Sequence, residues 1–309
     1  MVNAGQDQPL ITLGLPVYNC QPYVSQSIES LLAQTYKDFV LIISDNASTD
    51  GTSEICANYA RQDARIRYCR NERNIGLPAN YNRVFHLTES KYLKWSTGDD
   101  YWTPDMLMDA LEILEGEPSV ALCYPKAVLV DASGREQARY EDRLHLMQDD
   151  PVERFLTLLA EIRLSHQNLG VMRMDMARRT ALVGNHVGSD VTFLAELSLY
   201  GKFFEAPRYQ YFRRLHENSY SWNRGNELHE ARRYHPAGVT RIPFNTWKHH
   251  AGFWKAVVRS PLAISQKVRI LPVLLKRLYW DGQTLTHELI RDLPLLRSGK
   301  LSSRSRWCR

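Results

Sequence analysis

No stretch of the 309-residue chain reaches the run of ~20 apolar residues that a membrane-crossing helix requires. The longest candidates, near the end, are interrupted by Lys267, Arg269, Lys276 and Arg277. The opening MVNAGQDQPLITLGLPVY lacks both a basic n-region and a long apolar segment, so no secretory leader is expected. Cysteine is scarce: Cys20, Cys56, Cys69, Cys123 and Cys308 are odd in number and scattered. That usage argues against a zinc site or a disulfide framework and points to a reducing compartment. Internal repeats and low-complexity tracts are missing too. The expectation is a cytoplasmic protein that does not span a membrane.

What is present is ordinary in bulk and uneven in detail. Hydrophobic content of 44% and charged content of 24% suit a soluble globular protein with one large core, or one core and an appendage. The net charge of +5 hides a split. From Arg241 onward 14 Lys/Arg stand against 3 Asp/Glu, leaving 25 against 31 before it. A basic end on an acidic body points to an anionic surface as partner, with nucleic acid and acidic lipid headgroups as the two candidates.

Residues 1–8 are polar and read as a flexible terminus. A buried strand over 10–15 is expected to break at Pro16. A helix over 22–34 follows, with Val24, Ile28, Leu31 and Leu32 on its apolar face. Strand 39–44, helix 52–61, strand 66–69, helix 79–87 and strand 92–95 continue the alternation. Strands alternating with helices imply right-handed crossovers and a largely parallel sheet. The Gly-rich Rossmann fingerprint is absent from this half.

Further on, the pattern predicts a helix over 106–114 behind Pro104, strands over 120–124 and 127–130, and helices over 152–162 and 175–182. The polar stretch 139–150 is expected to be a mobile loop. A helix after Asp190 ends near Gly201, and short strands are expected over 203–206 and 209–213. Beyond Trp222 the texture changes. Residues 245–296 are rich in Trp, Leu, Lys and Arg at helical spacing and read as short basic helices divided by Pro261, Pro272 and Pro294. The expected division is therefore 1–8, a catalytic domain over 9–222, and a basic helical extension over 223–309.

Three acidic motifs punctuate this plan. Asp45-Asn46-Ala47-Ser48-Thr49-Asp50-Gly51 closes the second strand, Thr97-Gly98-Asp99-Asp100 closes the fourth, and Gly188-Ser189-Asp190 opens a helix. Carboxylates at the carboxyl ends of strands share one edge of an open α/β sheet, where ligands bind. Such a set suits a metal-bound nucleotide diphosphate with a base beside it.

Two more segments flank these motifs: Pro16-Val17-Tyr18-Asn19 leading to SIESLLAQTY at 27–36, and Arg213-Arg214-Leu215-His216-Glu217-Asn218-Ser219. Together, and in this order, they resemble glycosyltransferase family 2, the inverting nucleotide-sugar transferases with a GT-A fold. The resemblance runs from about Leu10 to Ser221. It implies an α/β fold of GT-A type, an open and mostly parallel sheet flanked by helices, here with the basic C-terminal extension added. It also implies metal-dependent, inverting transfer of a sugar from a nucleotide-diphosphate sugar, a UDP- or dTDP-sugar, to a hydroxyl of a glycan or lipid-linked acceptor. The setting it implies is bacterial-type surface polysaccharide synthesis.

By that resemblance Asp100 is the direct ligand of Mn²⁺ or Mg²⁺, Asp99 reaches the ribose or sugar, and His216 completes the metal shell or meets a phosphate. Asp45 opens the segment that contacts the nucleobase. Asn46 stands there where many members have a second Asp. Pro16, Tyr18 and Asn19 lie where the family packs the base, Asn74 with Gly76 where a loop lines the nucleotide pocket, and Gln167, Asn168 and Gly170 on the acceptor side. Asp190 is the general base that takes the acceptor's proton. Plainer roles compete: Asp99, Asp100 and Asp190 all precede helices and suit N-caps, and a lone His is more often structural.

The basic tail either lies on an acidic membrane or packs its aromatic faces on the core. Two other functions compete. A sugar-1-phosphate nucleotidyltransferase would carry a Gly-rich basic loop where Leu15 to Pro22 stands. A nucleic-acid binder using the tail would leave the acidic motifs unexplained, and no nucleic-acid partner is expected.

Overall fold

The computed structural model describes residues 9–217, 219, 225–236, 238 and 240–297. The polar stretch 1–8, Asn218 and Cys308 lie outside the described residues. Alternation holds through the first half: β1 (Ile11–Val17), α1 (Gln21–Leu32), β2 (Phe39–Asp45), α2 (Thr52–Gln62), β3 (Ile66–Arg70), α3 (Leu77–His86) and β4 (Tyr92–Trp95). Every residue of β1 and β2 is buried, as continuous apolar runs require of strands covered on both faces. These four strands pair in parallel. Helix α3 lies so close to β1 that a Cβ on Gly14 would collide with Val84 Cγ1. Strand β1 does not break at Pro16. Past Gly14 it is paired with β2 alone, so the N–H that proline lacks has no partner to miss.

The second half contains β5 (Tyr101–Trp102), α4 (Met106–Gly116), β6 (Val120–Val130), β7 (Glu136–Tyr140), α5 (Pro151–Glu161), a 3₁₀ turn at His166–Leu169, β8 (Val171–Arg173), α6 (Met174–Ala177), α7 (Ser189–Ser198) and β9 (Lys202–Arg214). The nine-stranded sheet runs β3-β2-β1-β4-β8-β6-β9-β5, with β7 on β6. Strands β5, β7 and β8 oppose the rest, so the sheet is mostly parallel.

Three expectations change here. β6 and β9 are each one long strand where two were expected, and they pair with each other through bulges at Pro125–Ala127. The stretch 139–150 is not a free loop. It begins as β7, buries Leu144 and Leu146, and pairs Leu146 with Phe203. The helix expected over 175–182 shortens to the four residues of α6.

After β9 come α8 (Glu227–Tyr234), α9 (Asn245–Arg259), α10 (Ile264–Trp280) and α11 (Gly282–Arg297). Only Pro261 separates helices; Pro272 and Pro294 lie inside α10 and α11. Pro272 is exposed, so the carbonyl its ring deprives of a donor is open to water. Phe253, Ala256 and Val257 of α9, with Ile270 and Leu274 of α10, join the same buried cluster as the sheet. Helix α7 is buried almost all round between them, with α9 and α5 against it. Among the described residues no helix is long and apolar enough to cross a membrane.

Candidate active site

The carboxyl ends of β1, β2 and β4 open on one edge, and a cavity of about 150 Å³ lies beside them. Its wall gathers Asp99 and Asp100 from the end of β4, Asn168 from the 3₁₀ turn, Asp190 from α7, Arg213 and Arg214 from β9, and Arg233 from α8. Residues on both sides of Trp222 therefore build one hollow.

The two neighbouring carboxylates are placed differently. Asp100 is nearly sealed: Oδ2 accepts hydrogen bonds from Thr97 Oγ1 and Tyr211 Oη, both at 2.6 Å, and Oδ1 accepts the Arg214 backbone N–H at 2.8 Å. Burial, then the charge of Asp99, push its pKa up to about 6. Asp99 is more open, with its side chain 28% exposed, and its Oδ2 lies 3.1 Å from His216 Nε2. Burial would raise its pKa, yet the His216 hydrogen bond and charge, followed by the charge of Arg233, hold it below the usual carboxylate range. Beneath the pair sits Lys94, fully buried, with Nζ 3.6 Å from the Trp102 ring centre and bonded to Trp95 O and Ser96 Oγ. Burial drives its pKa well below the lysine range.

Among the described residues no group of three or more His, Cys, Asp or Glu is placed to hold a metal ion by itself. Asp99, on the cavity wall, and His216, which stands against it without lining that wall, nevertheless offer an oxygen and a nitrogen donor side by side. That set fits a dication taking most of its shell from phosphates and water. The open donor is Asp99, whereas the resemblance points to Asp100, whose oxygens are already engaged.

Across the cavity, Gly188 turns the chain into α7 with φ +80, a conformation favoured by glycine, and His249 closes against it. Ser189 and Asp190 follow at once and face the cavity. Ser165 Oγ donates to Asp190 Oδ2, and Ser165 itself is held at φ 48. Next to it the buried His166 lines the cavity, its Nε2 2.7 Å from the buried Asp142 Oδ2.

Other expected site residues stand elsewhere. Asp45 is fully buried, with Oδ1 accepting Ser48 N and Oδ2 accepting Ser53 Oγ and Tyr68 Oη; Arg70 Nε is 3.3 Å away. Asn46, also buried, bonds Asn74, Asn71 and the Ile75 N–H, and so braces the 71–76 loop. Neither lines the cavity. Asn19 clamps Thr49 through its Oδ1, Pro16 is buried in β1, and Tyr18 stands half exposed on the same edge. Gln167 is fully buried behind the wall, while its neighbour Asn168 reaches the cavity. Arg214 is consumed in structure: it binds the carbonyls of Asp99, Asp131 and Ala132 and the side chain of Gln26. Sequence reasoning missed Ser165, His166 and Arg233, which sit on irregular or short segments and carry no pattern.

An open sheet of this order, with an acidic pair after β4 and a lone carboxylate facing it from a later helix, defines the GT-A glycosyltransferases. The chain belongs to one family of them: the model described as Glycosyl transferase family 2 matches residues 12–175, more than half of its length. It is 32% identical over 130 residues to an uncharacterized glycosyltransferase of Methanocaldococcus jannaschii, a match spanning 41% of this chain and 45% of that protein. Against TuaG of Bacillus subtilis, a glycosyltransferase assigned to teichuronic acid biosynthesis, identity is 26% over 175 residues, 55% of this chain and 68% of the relative.

Among solved structures, Staphylococcus aureus TarS 1–349 in complex with UDP superposes with a TM-score of 0.63 at 16% identity, covering 89% of this chain and 73% of that one. A mannosyltransferase of Pyrobaculum calidifontis in complex with GDP-Man and Mn²⁺ gives 0.53 at 14% identity, covering 97% and 89%. At these identities the likeness is one of fold.

Proposed function

We propose that this glycosyltransferase moves a sugar from a nucleotide-diphosphate donor to a hydroxyl of a glycan or lipid-linked saccharide, with inversion and with a divalent cation. The observation that carries this reading is the single cavity shared by Asp99, Asp100 and Asp190. A UDP- or dTDP-sugar is the proposed donor, supported by the UDP-bound fold neighbour; Mn²⁺ or Mg²⁺ is the proposed cation, supported by the Mn²⁺-bound one. Surface polysaccharide synthesis in the cytoplasm, at the inner face of the membrane, is the proposed setting, supported by the teichuronic acid relative.

Asp190 acts as the base. The acceptor oxygen attacks the anomeric carbon, its proton passes to Asp190, and the carbon–oxygen bond to the diphosphate breaks on the opposite face. Ser165 fixes which Asp190 oxygen faces the hydroxyl. Asp99 and His216 would hold the cation, which when bound supplies Lewis-acid neutralisation of the leaving diphosphate. Asp100 adds negative charge behind them, Arg213 and Arg233 bring positive charge to the wall, and Asn168 faces the acceptor. Tyr18 offers its exposed ring to the base. Asp45, Asn46, Asn19 and Asn74 position the loops on that edge.

A panel of nucleotide sugars with Mn²⁺ or Mg²⁺, read by release of free nucleoside diphosphate, tests this. One donor is expected to be hydrolysed slowly, and Asp99→Ala to abolish the release. A panel without turnover, or an Asp99→Ala chain as active as the parent, overturns the proposal.

A further inference from the structure

Helix α10 has two apolar faces, and only one of them is used by the core. Ile270 and Leu274 are buried against the rest of the protein. On the other side Ile264, Val268, Leu275 and Tyr279 are 54% to 84% exposed, and Pro272 between them is exposed as well. These five residues are spaced four, four, three and four apart, which at 3.6 residues per turn makes one continuous stripe along the helix. Another exposed apolar residue lies near the start of α10. Lys267 Nζ reaches the carbonyl of Val258 at the end of α9, whose side chain is 69% exposed.

The flanks of this stripe are of one sign. Helix α10 carries Lys267, Arg269, Lys276 and Arg277 and no acidic residue. Lys276 Nζ lies 4.7 Å from the ring centre of Trp280, itself 65% exposed, so a cation and an indole share the last turn. Arg269 is bridged at 2.7 Å to Asp150; among the described residues neither Lys267 nor Lys276 has an acidic partner. An apolar stripe edged by lysines and closed by Tyr and Trp is the composition that rests in the headgroup region of an anionic bilayer. A second copy of the chain fits worse, because it would bring α10 against α10 and like charge against like.

We propose that α10, extended by Val258, is a docking surface for an anionic lipid bilayer, lying in the plane of its headgroups. Apolar area supplies one part of the attraction and the unbalanced basic charge the other. The surface is argued from the helix itself and rests on the proposed transfer reaction only for its use, which is to hold the enzyme where a lipid-linked acceptor resides.

Co-sedimentation of the full chain with vesicles tests it. Binding is expected to vesicles of phosphatidylglycerol and phosphatidylcholine, to be far weaker on phosphatidylcholine alone, and to fall with salt. Val268→Ser with Leu275→Ser, both on the exposed stripe, is expected to lower partitioning by about tenfold or more at an unchanged Tm. Lys276→Gln is expected to weaken binding to the anionic vesicles only. Failure to sediment, equal binding to neutral vesicles, or full binding by the double variant overturns the proposal. So does a concentration-dependent dimer that the double variant abolishes. Donor hydrolysis is read on the same samples: vesicle binding without hydrolysis sinks the proposed reaction and leaves the surface standing.

Discussion

Asp100 carries its charge where burial and the neighbouring Asp99 both oppose it, and its carboxyl is pushed up to about 6. The folded chain therefore keeps a proton that the unfolded chain has lost between roughly pH 4 and pH 6. Stability falls as pH rises through that window, and above it the ionised group costs on the order of 1–3 kcal/mol. Asp100→Asn keeps an acceptor for the Arg214 N–H and removes the charge. It is expected to raise stability in urea or thermal unfolding while donor turnover drops; a variant that is both less stable and fully active contradicts this account. Asp190→Asn is expected to leave donor KM within about twofold and to cut kcat by about 10² to 10⁴, the span of a lost general base. Undiminished transfer would reassign the proton acceptor. At this scale the gathering of Asp99, Asp100 and Asp190 on one cavity was legible, because each follows a strand end or opens a helix. The burial of Asp45 was not: a sequence does not reveal that Ser48, Ser53 and Tyr68 already occupy its oxygens.

Among elements, the join between α7 and α9 is open to acid. His186, just before α7, is pushed down to about 3 by burial and then by the charges of His249 and Lys248. His249 of α9 is pushed down to about 4, again by burial first and then by His250 and Arg277. Both rings are neutral in the folded chain, and the unfolded chain gains protons near pH 6.5. The stability they contribute is complete above that pH and is lost as pH falls toward 4 and 3. At pH 5 the loss is about 2 kcal/mol for each ring. Urea midpoints taken between pH 7 and pH 5 should drop accordingly, and His249→Gln should flatten the slope; a flat parent profile would refute the assignment.

Elements with long apolar runs or clean helical spacing, such as β1, β2 and α1, were readable from sequence. β5 and β8 were not, since two or three residues carry no period. β6 and β9 each read as two strands because proline in a strand signals a break, whereas here paired bulges absorb it. The same rule misled in α10, where the proline sits on the solvent side.

At the scale of the molecule, the sheet and the C-terminal helices share one buried cluster through Phe253, Ala256 and Val257. Unfolding is therefore expected as one cooperative transition, monitored together by far-ultraviolet and near-ultraviolet circular dichroism. Phe253→Ala should shift the whole transition, at a cost of about 3–5 kcal/mol, although it lies far along the chain from the acidic pair. Two separated transitions, with only the later one moved, would show that the basic helices fold apart. Nothing in the charge count of the tail foretold this dependence, because a split in charge describes the outer face and not the packing beneath it.

The family model stops at residue 175, yet Asp190, Arg213 and Arg233 enter the same hollow from beyond that point. The pocket is thus assembled from the matched stretch together with the chain that follows it. A chain cut at residue 175 would keep the ledge formed by Asp99 and Asp100 and lose Asp190, Arg213 and Arg233 opposite it, leaving half a vessel.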